Sequence, residues 1–283
     1  MKLKLACADF SFPLVPRDRV LDLIAMLGFD GVDIGLFAGR SHIQPKDVLR
    51  NVPRAARQLA DRAHASGLNL ADIFFQPAAD FQSLAPNHPD GRVRRKARES
   101  FQRILEFTTR CNARHMTLLP GVRWENESYE SSLERCSEEL AWRCEQARQV
   151  GVVFSVEAHL GSVVPTPKQV RQLLRMAPGL TLTLDYGHFT YQGISDRQVE
   201  PLVKHASHFH ARGACRGRLQ ASFKENTIDF KRVLQAMKRA QYTGFVGVEY
   251  VWIDWERCNE VDNLSETILL RDLIVTEQPL TAR

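Results

Sequence analysis

Short apolar runs alternate with longer amphipathic stretches along most of the chain. Lys2–Asp9, Gly31–Phe37, Leu68–Phe75 and Ala113–Leu119 read as strands in the first half. Val152–His159, Thr181–Asp185, Ser207–His210 and Phe245–Tyr250 follow in the second. All but the first contain β-branched or aromatic residues, and each lies close to Gly, Pro or Asp. Between them, apolar positions recur with helical spacing. Leu133, Cys136, Leu140, Cys144 and Ala147 place one stripe along a helix over Tyr129–Val150. Similar patterns predict helices over Pro16–Gly28, Pro45–Ser66, Asp90–Cys111, Pro165–Met176, Asp196–Lys204, Ile228–Gln241 and Leu264–Val275.

Strand and helix alternate through eight cycles, and no Pro/Gly/Ser-rich linker interrupts them. This order predicts one α/β domain over residues 1–283, closed as a (β/α)8 TIM barrel. A doubly wound open sheet is the competing arrangement. It would call for a phosphate-binding glycine fingerprint, and the one glycine-dense stretch, Gly213–Gly217, lacks that spacing.

Composition narrows the picture only at the margins. Hydrophobic residues make up 44% and charged residues 25%, as in an ordinary globular protein, and the formal charge is a modest +5. The basic run Arg92–Arg98 reads as a solvated helix face rather than a nucleic-acid site. Six cysteines without CxxC pairing speak against a zinc ribbon or a disulfide framework and suit a reducing cytoplasm. The N-terminus lacks a secretory pattern, and no run is long and apolar enough to span a membrane. A cytoplasmic protein with no membrane or nucleic-acid partner is the expectation. Homo-oligomerisation is left open.

The chemistry lies at the ends of the last four strands. They close on Glu157, Asp185, His210 and Glu249, with His159 and His188 just beyond the first two. In a barrel the C-terminal strand ends converge on one face. Three carboxylates crowded there cannot all ionise without a counterion. A divalent cation supplies one, and a set of oxygen donors with one imidazole suits Mn²⁺ or Mg²⁺, with Co²⁺ or Zn²⁺ as alternatives. His208 is read as structural, because in the His208-Phe209-His210 alternation it differs from His210 in phase or sits a layer deeper.

The segments SVEAH, LDYGH, HFHAR and TIDFKRVLQAMKRAQYTGFVGVEY make the second half resemble the xylose-isomerase-like barrel superfamily. That superfamily includes sugar epimerases and isomerases, inosose dehydratases and endonuclease IV-type AP endonucleases. In the first half DGVDIGLF is the clearest similar piece. The resemblance implies that Glu157, Asp185, His210 and Glu249 are metal ligands and that His188 faces substrate. It further implies an isomerase or epimerase of a small sugar or keto-acid. Glu157 and Glu249 would be its acid/base pair around a metal-stabilised enediolate. Arg212, or Arg216, Arg218 or Lys224 in the following loop, would bind an acidic or phosphorylated substrate, or else lie on the surface. His159 either binds substrate or shields the mouth. Phe10, Phe12, Phe74, Phe75, Trp124, Tyr250 and Trp252 are core or rim residues near strand ends.

A lyase or dehydratase sharing the first step is the alternative outcome, including cleavage of a C-glycoside. A DNA hydrolase is disfavoured. The endonuclease IV pattern needs extra histidines after the third and fourth strands, and here those strands run into Phe74-Phe75-Gln76 and Leu119-Pro120-Gly121. Asp229 is followed by Phe230-Lys231, with no histidine. A non-catalytic binding barrel is the last option. It leaves unexplained why a costly carboxylate cluster is kept.

Overall fold

A computed structural model describes residues 3–277. Eight parallel strands close on themselves in sequence order, β1 to β8, with β1 paired to β8. They are Lys4–Ala8 (β1), Gly31–Phe37 (β2), Asn69–Gln76 (β3) and His115–Leu118 (β4). Val153–Glu157 (β5), Thr181–Asp185 (β6), Ala206–Ala211 (β7) and Phe245–Val248 (β8) complete the barrel. The (β/α)8 expectation therefore holds. The predicted first strand began at Lys2, which lies outside the described residues.

Helices α1 (Val20–Met26), α2 (Pro45–Arg50), α3 (Val52–Ala65), α4 (Gly91–Arg110) and α5 (Tyr129–Gln149) cover the first half. In the second half α6 (Pro167–Met176), α7 (Gly187–Tyr191), α8 (Asp196–Val199), α9 (Phe230–Arg239) and α10 (Asn263–Glu277) follow. Their apolar stripes pack on the outer face of the barrel in one continuous core, with Ile24, Leu59, Ile104, Leu140 and Leu173 almost fully buried.

Two predicted helices are broken in the structure, both at proline. Pro53 can neither donate to the Leu49 carbonyl nor pass it without a clash, so the helix stops. Asn51 leaves helical geometry and its side chain accepts from the Arg54 N–H, starting α3 afresh. The freed Leu49 carbonyl accepts from Arg103 at 2.8 Å. Likewise α8 gives way to a 3-10 turn over Glu200–His205 that contains Pro201.

The basic run is partly consumed by packing. Arg94 and Arg98 on α4 both pair with Glu139 on α5, as does the fully buried Arg143. The cysteines are free, and among the described residues no helix is long and apolar enough to cross a membrane.

Barrel interiors are usually filled by branched aliphatic side chains. This one is polar along its axis. Near the strand starts, His115 bridges Asp72 (2.6 Å) and Ser207 (2.8 Å), and Ser207 meets Thr181 (2.7 Å). Thr117, Ser155 and Thr183 form a triangle of hydroxyls with edges of 2.6–3.1 Å. His208 pairs with Asp33 at 3.0 Å. Gly247 makes room for this last pair: a Cβ there would lie 1.9 Å from Asp33 Oδ2. His208 and His210 both point inward, one layer apart, and His210 is the upper of the two.

Candidate active site

At the C-terminal end of the barrel, Glu157, Asp185, His210 and Glu249 are each 4% exposed or less, so each charge needs a partner. His210 Nδ1 lies 2.6 Å from Glu157 Oε1 and 3.4 Å from Glu249 Oε2. The register explains the grouping: Asp185 pairs with His210 across β6 and β7, and His210 with Gly247 across β7 and β8. Asp185 is approached from a different side. Its Oδ2 accepts from Arg212 Nη2 at 2.6 Å, and its Oδ1 accepts from the Gly187 N–H at 2.6 Å, at the start of α7. Arg212 Nη2 also lies 3.1 Å from His188 Nε2.

Electrostatics splits the cluster. Burial lifts Glu249 to about 8, with the neighbouring Glu157 adding to the rise and His210 opposing it. Burial would lift Glu157 as well, but His210 more than offsets it and holds that carboxyl low. Asp185 is raised by burial against the pull of Arg212. His210, flanked by Glu249 and Glu157, is raised well above its ordinary value although burial works against the charge. Burial lowers His159 to about 4 and His188 well below its ordinary range.

Three overlapping groups bring possible metal-ligating atoms within 4.8 Å of one another: Glu157/His210/Glu249, Glu157/Asp185/His188 and Asp33/His208/His210. The four ligands expected from sequence thus fall into two groups that share Glu157, and Arg212 stands on Asp185. The residues suit a divalent cation on two observations. Glu249 Oε2 and His210 Nε2 are buried without a hydrogen-bond partner. Three buried carboxylates against one guanidinium leave two negative charges, which a dication and neutral imidazoles would balance.

Above the cluster a cavity of about 600 Å³ opens to solvent. Glu157, Glu249, His159, His188 and Arg212 reach it from the floor. His159 is buried, and neither of its ring nitrogens has a partner. Arg218 does not reach it, being paired instead with Glu225 at 2.7 Å and Glu260 at 3.8 Å. Phe10 and Phe74 line the cavity, and Trp252 stands at its rim, 42% exposed. Phe12, Phe75 and Tyr250 are packed into the main core, and Trp124 lies against His88.

Sequence reading overlooked Arg40, Gln76, Phe81 and Trp255, which also line the cavity. They come from loops or strand edges where no period marks them. It also overlooked Asp33 and Asp72, although a carboxylate inside an apolar strand signals a buried partner. A larger cavity, about 910 Å³, opens at the other end of the barrel around His115 and Ser207. It lies at the strand starts, away from the carboxylate cluster, and barrel active sites lie at the other end.

A closed parallel barrel with ionisable strand ends below a cavity defines a class of protein, and the comparisons name the family. The description "xylose isomerase-like TIM barrel" matches residues 21–271, and the chain belongs to that family. No curated protein matches it by sequence. Among solved structures it is similar to a D-tagatose 3-epimerase-like protein, at 19% identity and TM-score 0.75, over 99% of this chain and 100% of that one. The 3-keto-D-glucoside 4-epimerase YcjR from E. coli aligns at 15% identity and TM-score 0.72, over 97% and 100%. A probable 3-DHS dehydratase, AsbF, from Bacillus anthracis aligns at 13% and 0.71, over 95% and 99%. At these identities the likeness is one of fold.

Proposed function

We propose that the protein is a divalent-metal-dependent isomerase or epimerase of a small sugar or keto-sugar. One observation carries the reading: two strand-end carboxylates, Glu157 and Glu249, converge on the same nitrogen of His210 at the floor of a cavity. Glu157, Asp185, His210 and Glu249 would hold the ion, Mn²⁺ or Mg²⁺ by their donor chemistry. When bound, a dication here would acidify a hydrogen beside a substrate carbonyl by drawing charge from its oxygen.

The protein's own groups do the rest. One glutamate takes the proton from the carbon beside the carbonyl, and the other delivers a proton to the opposite face of that carbon. One C–H bond breaks and one forms, and the centre is inverted. Delivery to the adjacent carbon instead gives aldose–ketose interconversion. Arg212 and His188 are within hydrogen-bonding distance of each other and would orient substrate oxygens, with Asp185 fixing the guanidinium.

A second outcome is favoured by His159, whose two ring nitrogens are free. After the same proton abstraction its ring N–H would hydrogen-bond a departing hydroxyl at the next carbon, and the glutamate that took the proton would pass it to that hydroxyl. The C–O bond breaks, a double bond forms and water leaves, which is a dehydratase.

The test is solvent-deuterium incorporation. Protein with Mn²⁺ in D₂O is incubated with ketoses, keto-acids and inososes and followed by NMR. Exchange at a single carbon beside the carbonyl is expected, falling by about 10²–10⁴ in Glu249→Gln. The product spectrum separates isomerase from dehydratase. Absence of exchange on every substrate, with metal bound, would sink the reading.

A further inference from the structure

The opposite end of the barrel holds an opening that the proposed chemistry does not use. A cavity of about 910 Å³ enters there among the strand starts, within the size range of small-molecule sites. Four basic side chains line it, each from a different element. They are Lys4 at the start of β1, His64 on α3, Arg114 just before β4 and Lys204 in the 3-10 turn before β7. Among the described residues that line the cavity there is no Asp or Glu. Lys4, Arg114 and Lys204 are exposed, and none has a carboxylate partner among the described residues.

Their placement says what kind of ligand they suit. In the closed ring, β1, β4 and β7 are spaced almost evenly, so three permanent cations stand on three sides of one opening. Unpaired cations around a concave mouth focus a positive potential into it. Held apart in this way they do not converge on one monovalent ion. They match a ligand with several negative groups. On the floor, His115 bridges Asp72 and Ser207, and Asp72 lies behind it without lining the cavity. That carboxylate repels an anion from the deepest point and leaves it at the basic rim.

The backbone adds an independent sign. Asn112 and Gln241 also line the cavity, two positions past the last residues of α4 and α9, with φ of +64° and +53°. Glycine is the usual residue at that position. Asparagine tolerates the left-handed region, whereas glutamine is strained there. The Gln241 side chain makes no compensating hydrogen bond among the described residues. Strained positions of this kind gather at ligand sites.

We propose that this end of the barrel binds a small, multiply charged anion, a polyphosphate or a polycarboxylate, apart from the carboxylate-lined cavity. Lys4, Arg114 and Lys204 each face one charged group, and the Gln241 amide donates to the same ligand.

Calorimetric titration of the metal-free protein with tripolyphosphate and with citrate tests this, with monophosphate as the single-group control. One equivalent of a polyanion should bind about tenfold more tightly than monophosphate, and the tighter of the two identifies the charged group. Arg114→Glu and Lys204→Glu should each weaken binding by about tenfold. Lys168→Glu, at an exposed position on α6 outside the cavity, should leave it unchanged. Gln241→Gly should weaken binding several-fold while raising the thermal midpoint, because it removes the amide and relaxes the turn. An equal loss in Lys168→Glu would reduce the attraction to overall charge and overturn the proposal. Binding that survives Arg114→Glu and Lys204→Glu combined would place the anion elsewhere and overturn it too, as would no binding of either polyanion.

Discussion

The barrel axis and the cavity mouth of this protein reverse the usual distribution of side chains. Inside, where barrels are commonly aliphatic, Asp33, Asp72, His115 and His208 are buried in pairs, with the hydroxyl triangle of Thr117, Ser155 and Thr183 between strands. Outside, where a sugar site would carry hydrogen-bonding groups, phenylalanine and tryptophan line the wall. The difference shows which interactions each region depends on. The interior rests on pairing of opposite charges, because an unmatched charge there has no water to turn to. The mouth rests on area and shape, so losing one ring leaves a larger opening rather than an orphaned charge.

The sharpest way to break that contrast is His208→Leu. It leaves the fully buried Asp33 without its partner and should destabilise the fold by about 3–5 kcal/mol, read by urea denaturation. A Leu pair at both positions 33 and 208 should recover much of the loss. If the single change cost under 1 kcal/mol, the interior would not depend on pairing.

Asp9 tests the boundary between the regions. It is buried beside the Phe10 ring, accepts from the Gly35 N–H at 2.9 Å, and is raised by burial to about 7. A carboxyl raised in the folded state binds its proton more tightly there than when unfolded. Its contribution is therefore full below about pH 4 and is lost as pH rises toward 7, by up to about 4 kcal/mol. Asp9→Asn keeps an acceptor for Gly35 but does not titrate. Denaturation midpoints of wild type and variant should converge near pH 4, with the variant ahead at pH 8. Parallel midpoints across that window would show that Asp9 stays ionised.

Metal comes next in size. At a hundredfold excess over its dissociation constant, Mn²⁺ should stabilise the wild type by about 2.7 kcal/mol, a gain reversed by a chelator and reduced in Glu249→Gln. An equal thermal shift in both proteins would place the ion elsewhere. The smallest effect is expected at the mouth. Phe81 is only partly buried, and Phe81→Ala should change stability by about 1 kcal/mol or less. A large loss would mean that the aromatic walls belong to the folding core.

The strands and their polar ends were legible because both signals are local: an apolar run, then a carboxylate or an imidazole. The helix break at Asn51 is legible too, since Pro53 forbids the continuous Pro45–Ser66 helix that the amphipathic pattern alone predicts. Pairings between distant strands were hidden. Nothing near Arg212 says that it lies on Asp185 while Arg218 turns to Glu225. Both follow the same strand, and only the loop path separates them. The aromatic walls were hidden for a related reason. Phe81 and Trp255 come from loops whose course depends on the whole barrel rather than on their neighbours in sequence.

The Asp33–His208 pair also sets an order of events during synthesis. The two residues are 175 positions apart, and β1 must wait for β8 to close the ring. A ribosome-bound chain carrying only the first strands therefore holds Asp33 without its histidine partner, and water is the only place for it. Premature collapse of that half-barrel is disfavoured by its own carboxylate. The final fold becomes favourable only when the segment from β7 onward arrives, bringing His208, His210 and Glu249 with it. Long-range closure of this kind slows folding. Here it also means that stability and candidate chemistry are delivered by the same late segment.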